Sequence, residues 1–189
     1  MNPDAGLRIG PGEVGDARAV LALQRRVLEE GGSFATAPDE FRLTEERMKG
    51  VLSELIGGGI FLVARDDRGV LGALLVHRER IRALRHVGRL ELFVHPDARR
   101  RGVGDALLAE AVRRAEADPV LRKLSLAVFA DNAPALALYR KHGFREEGRR
   151  LGEYLLDDGT PRDDLLLWRA VPGPATEVRR RARATPRGR

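Results

Sequence analysis

The chain contains no cysteine. That excludes a disulfide, a thiolate metal site and a cysteine nucleophile, so any acyl chemistry here must run without a cysteinyl intermediate. Long apolar runs are also missing. No span approaches the roughly 20 apolar residues of a membrane helix, and the amino terminus lacks a basic-then-apolar signal pattern, so the expected location is the cytoplasm. No G-x-S-x-G elbow surrounds Ser33, Ser53 or Ser125, which disfavours a serine hydrolase. No G-x-x-x-x-G-K is present, which removes a P-loop. The four histidines, His77, His86, His95 and His142, form no i, i+4 pair, and no metal is expected. There is no internal repeat.

What is present fits one domain. At 189 residues and 43% hydrophobic content the chain can bury one core, assigned to residues 1–171. The net charge of +6 suggests nucleic acid until it is located. From Pro172 to Arg189 six arginines face Glu177 alone, a net +5 that leaves about +1 for the body. The body therefore has no electrostatic footprint for DNA, and nucleic acid would be met only through the tail. Residues 172–189 carry proline, glycine and arginine without an apolar period and are expected to be disordered.

The informative stretch is Leu90 to Ala117. Leu90, Leu92 and Val94 alternate with Glu91, Phe93 and His95 as in a strand, and Pro96-Asp97 closes it. Ala106, Leu107, Leu108, Ala111, Val112 and Ala115 then recur at helical spacing. Between them lies Arg99-Arg100-Arg101-Gly102-Val103-Gly104. A glycine turn feeding a helix leaves the first helical N–H groups unpaired and lets a ligand approach the backbone, and the arginines add positive charge. That combination favours a phosphate. A dinucleotide fingerprint is the weaker reading, because Leu107 stands where its third glycine belongs.

The remaining elements follow from the same signals. Leu7–Gly10 reads as a short strand, and Asp16 as the N-cap of a helix through Val20, Leu21, Gln24, Val27 and Leu28 that stops at Gly31-Gly32. Thr44 caps a second helix with the stripe Met48, Val51, Leu52, Leu55 and Ile56. Ile60–Arg65 and Val70–His77 form a hairpin, with Gly72 as a candidate bulge, and Arg78–His86 is either its extension or a loop. Lys123–Phe129 alternates as a buried strand, and a helix between it and the strand at Leu90 makes the two a candidate parallel pair. Asn132 and Pro134 open a short helix ending at His142-Gly143. Phe144–Leu156 and Arg162–Ala170 close the chain as strands.

Two motifs at this spacing resemble the GNAT superfamily of acetyl-CoA-dependent N-acetyltransferases. One is R-x-x-G-x-G at Arg99, Gly102 and Gly104, after Val94-His95-Pro96. The other is N-x-x-A-x-x-L-Y-x-x-x-G-F at Asn132, Ala135, Leu138, Tyr139, Gly143 and Phe144. The likeness runs from about Leu7 to Ala170. It implies an α/β (α+β) fold: a mixed, mostly antiparallel central sheet with a splayed parallel strand pair and flanking helices. The His86-Val87 step, the run from Ala130 to Ala135 and the Gly-Thr-Pro-Arg-Asp turn resemble the branch that acetylates free amino acids and similar small amines.

The resemblance implies acetyl-CoA as cosubstrate, with its pyrophosphate on Arg99, Arg100, Arg101, Gly102, Val103, Gly104, Asp105 and Ala106. The last two would donate N–H groups, and side chains at Gly102 or Gly104 would intrude. It places the pantetheine arm along Leu92, Phe93 and Val94, where the N–H of Phe93 or Val94 polarises the thioester carbonyl. Tyr139 is the implied acid, since a phenol with a reference pKa of about 10 is protonated at neutral pH. Glu91 is the candidate base; some relatives carry the acidic residue at the position of Arg89, which leaves a water chain or another carboxylate open. Asn132, with Ala135 beside it, is either a cofactor contact or a helix cap. Protein N-terminal or ribosomal-protein acetylation and a non-catalytic acyl-CoA-binding module are the alternatives, and a homodimer is compatible with the resemblance.

Overall fold

The computed structural model of the protein describes residues 6–173. The expectation of a disordered tail falls mainly on residues outside that range. The contacts of the body reach Gly173: Val171 is buried and donates its N–H to the Arg122 carbonyl at 2.9 Å.

Eleven main elements appear in the expected order among the described residues. They are β1 (Arg8–Pro11), α1 (Ala17–Glu30), α2 (Glu45–Gly58), β2 (Ile60–Asp66), β3 (Gly69–Arg78), β4 (Val87–Val94), α3 (Val103–Ala117), β5 (Lys123–Phe129), α4 (Ala133–Lys141), β6 (Arg145–Leu155) and β7 (Pro161–Ala170). The seven strands form one sheet in the order β1-β2-β3-β4-β5-β7-β6. All neighbours are antiparallel except β4 and β5.

The sheet is covered on both sides because its strands carry apolar residues at both parities. One face buries Leu62, Leu74, Val76 and Leu90 with Leu107, Leu108, Leu136 and Tyr139 of α3 and α4. The other buries Phe61, Val63, Leu75 and Phe93 with Val20, Leu21, Met48 and Leu52 of α1 and α2. Phe93 keeps the alternation of β4 but points to a face that is also covered: it is 6% exposed and stacks on Phe34, ring centroids 4.8 Å apart.

Several local readings change. Asp16 directly precedes α1 but does not cap it; its carboxylate accepts from the Glu13 N–H at 2.8 Å and pairs with Arg65 at 3.0 Å. Thr44 does cap α2, accepting from Arg47 N–H at 3.3 Å, whereas Ile56 at the end of its stripe is exposed. The irregularity in the hairpin skips Leu71, next to Gly72. Gly72 has a different purpose. A Cβ there would meet Leu107 at 2.9 Å and Val103 at 3.0 Å, so its absence lets the start of α3 settle onto the sheet. β4 begins at Val87, three residues before the alternation predicts, and residues 79–86 form a loop.

Candidate active site

The turn into α3 leaves backbone donors open. Arg100 and Gly102 both adopt left-handed backbone, at φ 58° and 77°, and Gly102 is the residue just before the helix. Helix geometry leaves the N–H groups of Val103, Gly104 and Asp105 without intrahelical partners. Ala106 differs, since its N–H donates to the Gly102 carbonyl at 2.9 Å, so it is no free donor as expected. The two glycines serve different ends. No protein atom lies within 4 Å of a Cβ at Gly102, so its requirement is conformational, while a Cβ at Gly104 would press on Leu138 at 3.3 Å and Val94 at 3.5 Å.

The charges around this turn are partly committed elsewhere. Arg99 pairs with Glu30 at the end of α1, and Arg101 stands 4.0 Å from Asp66. Asp105 would repel a phosphate, but Lys141, the last residue of α4, and His142 just after it reach its Oδ1 at 2.7 and 2.8 Å. Their hydrogen bonds, Lys141 first, hold the Asp105 carboxyl below its ordinary range. Its negative charge thus comes with compensating donors.

Beside the turn the sheet opens. β4 and β5 pair only at Val87–Lys123, Gly88–Leu124 and Arg89–Ser125, although both strands continue. Beyond Arg89 the ladder lapses. The His95 N–H donates to Leu71 of β3 at 2.8 Å, so by the period-two rule Phe93 also faces β3. Leu92 and Val94 then turn their N–H and C=O groups into the gap. Of the two expected carbonyl polarisers, Val94 faces the gap and Phe93 does not.

A cleft of about 1690 Å³ runs from the turn through this gap and out over the opposite face. It brings together Glu91, Leu92, Phe93, Val94, Arg99, Arg100, Gly102, Val103, Gly104, Asp105, Asn132, Ala135 and Tyr139; Arg101 and Ala106 do not line it. Asn132 is a helix cap, accepting from Ala135 N–H at 3.2 Å, and it also borders the cleft. Tyr139 is 8% exposed and tilts against Phe144, centroids 5.8 Å apart. Its hydroxyl has no hydrogen bond among the described residues, and burial pushes the phenol up to about 12. Glu91 is half-exposed on the Phe93 side of β4, with His77 Nε2 3.8 Å away.

Sequence reasoning missed most of the far end of the cleft. Gln24 of α1, Ser125 of β5 and Asp164 of β7 line it, all buried, each with one side-chain oxygen lacking a hydrogen-bond partner. The signal available was Asp164 itself, a carboxylate in phase with Leu166 and Trp168 at the head of the apolar run Leu165–Trp168. Among the described residues no cluster of three or more His, Asp or Glu could hold a metal ion, and no helix is long and apolar enough to cross a membrane.

Comparison with known proteins agrees with this geometry. The acetyltransferase (GNAT) domain family matches residues 57–146. A mycothiol acetyltransferase of Clavibacter michiganensis is 34% identical over 146 residues, 75% of this chain and 44% of that protein. The L-amino acid N-acetyltransferase of Escherichia coli is 34% identical over 100 residues, 50% of this chain and 62% of that protein. The chain thus spans about half the length of these curated relatives. A phosphinothricin acetyltransferase from Sinorhizobium meliloti, solved in complex with acetyl-CoA, superposes with a TM-score of 0.79 at 26% identity, covering 90% of this chain and 92% of that one. Together with these matches, the unpaired N–H groups at the start of α3 and the splayed parallel pair identify residues 57–146 as a GNAT acetyltransferase domain, in a chain that has the GNAT fold.

Proposed function

We propose that the protein is an N-acetyltransferase that moves an acetyl group from acetyl-CoA directly to the primary amine of a free amino acid or similar small amine. The observation that carries this reading is the cleft crossing the sheet at the β4–β5 gap, with an anion-binding turn at one end and orphaned polar oxygens at the other. The residues fit the cosubstrate. The N–H groups of Val103, Gly104 and Asp105, with Arg100 beside them, would hold its pyrophosphate, and the open edge at Leu92 and Val94 would pair with the amides of its arm as an added strand does.

Acetyl-CoA supplies the acetyl group on a thiol leaving group. Glu91 takes the proton that the acceptor ammonium must give up before it can attack. Val94 N–H stabilises the oxygen that gains charge as the nitrogen bonds the carbonyl carbon. Tyr139 donates its proton to the sulfur as the carbon–sulfur bond breaks, and the second proton lost by the nitrogen restores the phenol. One proton leaves through Glu91 to water, which balances the reaction. The catalytic unit is assigned to residues 1–171.

The test is thiol release from acetyl-CoA across a panel of amines. A thiol reagent reads only product, because the chain has no cysteine. Turnover on a small amine is expected. Binding of acetyl-CoA with no turnover on any amine or peptide would leave only an acyl-CoA-binding module.

A further inference from the structure

Asp164 is the most conspicuous group in the cleft that the reaction above does not use. It is 2% exposed, and its Oδ2 has no hydrogen-bond partner. Buried polar atoms almost always find a partner, and an unmatched carboxylate oxygen is among the costlier exceptions. Burial accordingly raises the Asp164 carboxyl above its ordinary range, which Arg150 opposes and Glu153 reinforces. Arg150 Nη1 stands 3.8 Å from Oδ2, outside hydrogen-bond reach, and donates instead to Glu153 at 3.0 Å. Both Asp164 and Arg150 line the cleft.

The location fixes which ligand they would meet. Asp164 pairs across the ladder with Phe129, the last residue of β5, on the strand edge beyond the gap. Leu165 and Leu167 point to the α3–α4 face, so Asp164 points to the other face, the one carrying Phe93 and Glu91. The anion-binding turn belongs to α3, on the opposite side. Ser125 lies about 13 Å from Phe129 along β5 at ordinary strand rise, so it cannot share a single small charged group with Asp164.

We propose that Asp164 and Arg150 form the acceptor-recognition pair and that the acceptor is a free α-amino acid: Asp164 Oδ2 takes a hydrogen bond from the α-ammonium, and Arg150 donates to the α-carboxylate. An anion and a cation that form an ion pair at 3.8 Å but no hydrogen bond are the complement of a zwitterion, which can supply both missing hydrogen bonds. A polyamine or a protein lysine offers no carboxylate to Arg150, and a peptide N-terminus has converted it to an amide. This rests on the acetyl-transfer reading and narrows its acceptor.

The test is direct binding to the full chain with coenzyme A present, by calorimetry, using the standard L-amino acids, their α-carboxamides and the matching α-hydroxy acids. At least one amino acid binds, roughly tenfold or more tighter than its carboxamide and its hydroxy acid. Asp164→Asn weakens that binding roughly ten- to a hundredfold, the scale of one hydrogen bond from a charged group. Arg150→Gln abolishes the preference over the carboxamide. Acetyl-CoA affinity, unchanged in both, shows that the variants are folded. Equal binding of acid and carboxamide, or an Asp164→Asn protein that binds as wild type does, overturns the pair. Turnover confined to amines without a carboxylate overturns it too, while leaving acetyl transfer standing. Failure to bind acetyl-CoA would instead defeat the acetyl-transfer reading.

Discussion

Replacing Tyr139 by Phe separates chemistry from packing. The ring is buried and rests on Phe144, contacts a phenylalanine keeps. The hydroxyl has no partner among the described residues, so its removal orphans nothing, and stability near pH 7 should change by less than about 1 kcal/mol. Catalysis should not be spared. A positioned general acid contributes about 10²–10⁴-fold, and the loss should fall on kcat, with the affinity for acetyl-CoA unchanged. A second readout comes from the phenol itself. Moving it from 10.0 to about 12 disfavours the phenolate in the folded state by roughly 2.7 kcal/mol. Above pH 10 the unfolded chain releases this proton while the folded one keeps it. That contribution is therefore fully present below pH 10 and is lost as pH rises toward 12. Denaturant midpoints of wild type and variant should coincide at neutral pH and diverge between pH 10 and 12, with the wild type falling further. An unchanged kcat would remove Tyr139 from the acid role. Parallel alkaline curves would refute the desolvation argument on which its protonation rests.

Two further perturbations test the ends of the cleft. Gly102→Ala puts a Cβ into open space but on left-handed backbone, so it should cost roughly 1–2 kcal/mol of stability and weaken acetyl-CoA binding, measured by melting and by titration. Asp164→Asn should raise stability at pH 7, because the raised carboxyl makes the ionised side chain a burden on the fold at any pH above its own titration. The gain should fade as pH falls through the carboxylate range, and a uniform loss at every pH would contradict it.

The order of elements was legible because each is marked by local chemistry. Thr44 caps α2, Gly31 ends α1, and Gly143 at φ 80° follows α4. The glycine turn into α3 was equally legible, since glycine and helix start carry its geometry in six consecutive residues. What was hidden depends on distant strands. Asp16 has the right residue type for a cap, but Arg65, 49 residues away, and the Glu13 N–H claim its carboxylate. Ala106 follows the same turn as Asp105, yet one carbonyl separates a bound amide from an open one. Phe93 is buried on the second face of β4 because Phe34, in a loop with no periodic signal, covers it. The far end of the cleft draws on α1, β5, β6 and β7, and no sequence spacing joins Gln24, Ser125, Arg150 and Asp164.

The gap between β4 and β5 makes a residue-resolved prediction. β5 keeps its full ladder with β7 over Lys123 to Phe129, so the strand itself is regular, and only its other edge loses its partner, beyond Ser125. Along β4 the alternation assigns Leu92 and Val94 to the gap and Glu91, Phe93 and His95 to β3. Leu92 and Val94 have side chains packed on the α3–α4 core, so they are held in place while their backbone groups remain without a strand partner. A ligand arm that adds itself to this edge must therefore protect alternate amides. In hydrogen exchange followed by NMR, Phe93 should exchange slowly with or without acetyl-CoA. Leu92 and Val94 should exchange fast in the free protein and slow down on binding, a contrast that general stabilisation cannot produce because it would slow neighbours together. Uniform protection across the three residues would mean that the cosubstrate does not lie along this edge, and Val94 would then lose its assignment as the donor to the carbonyl oxygen.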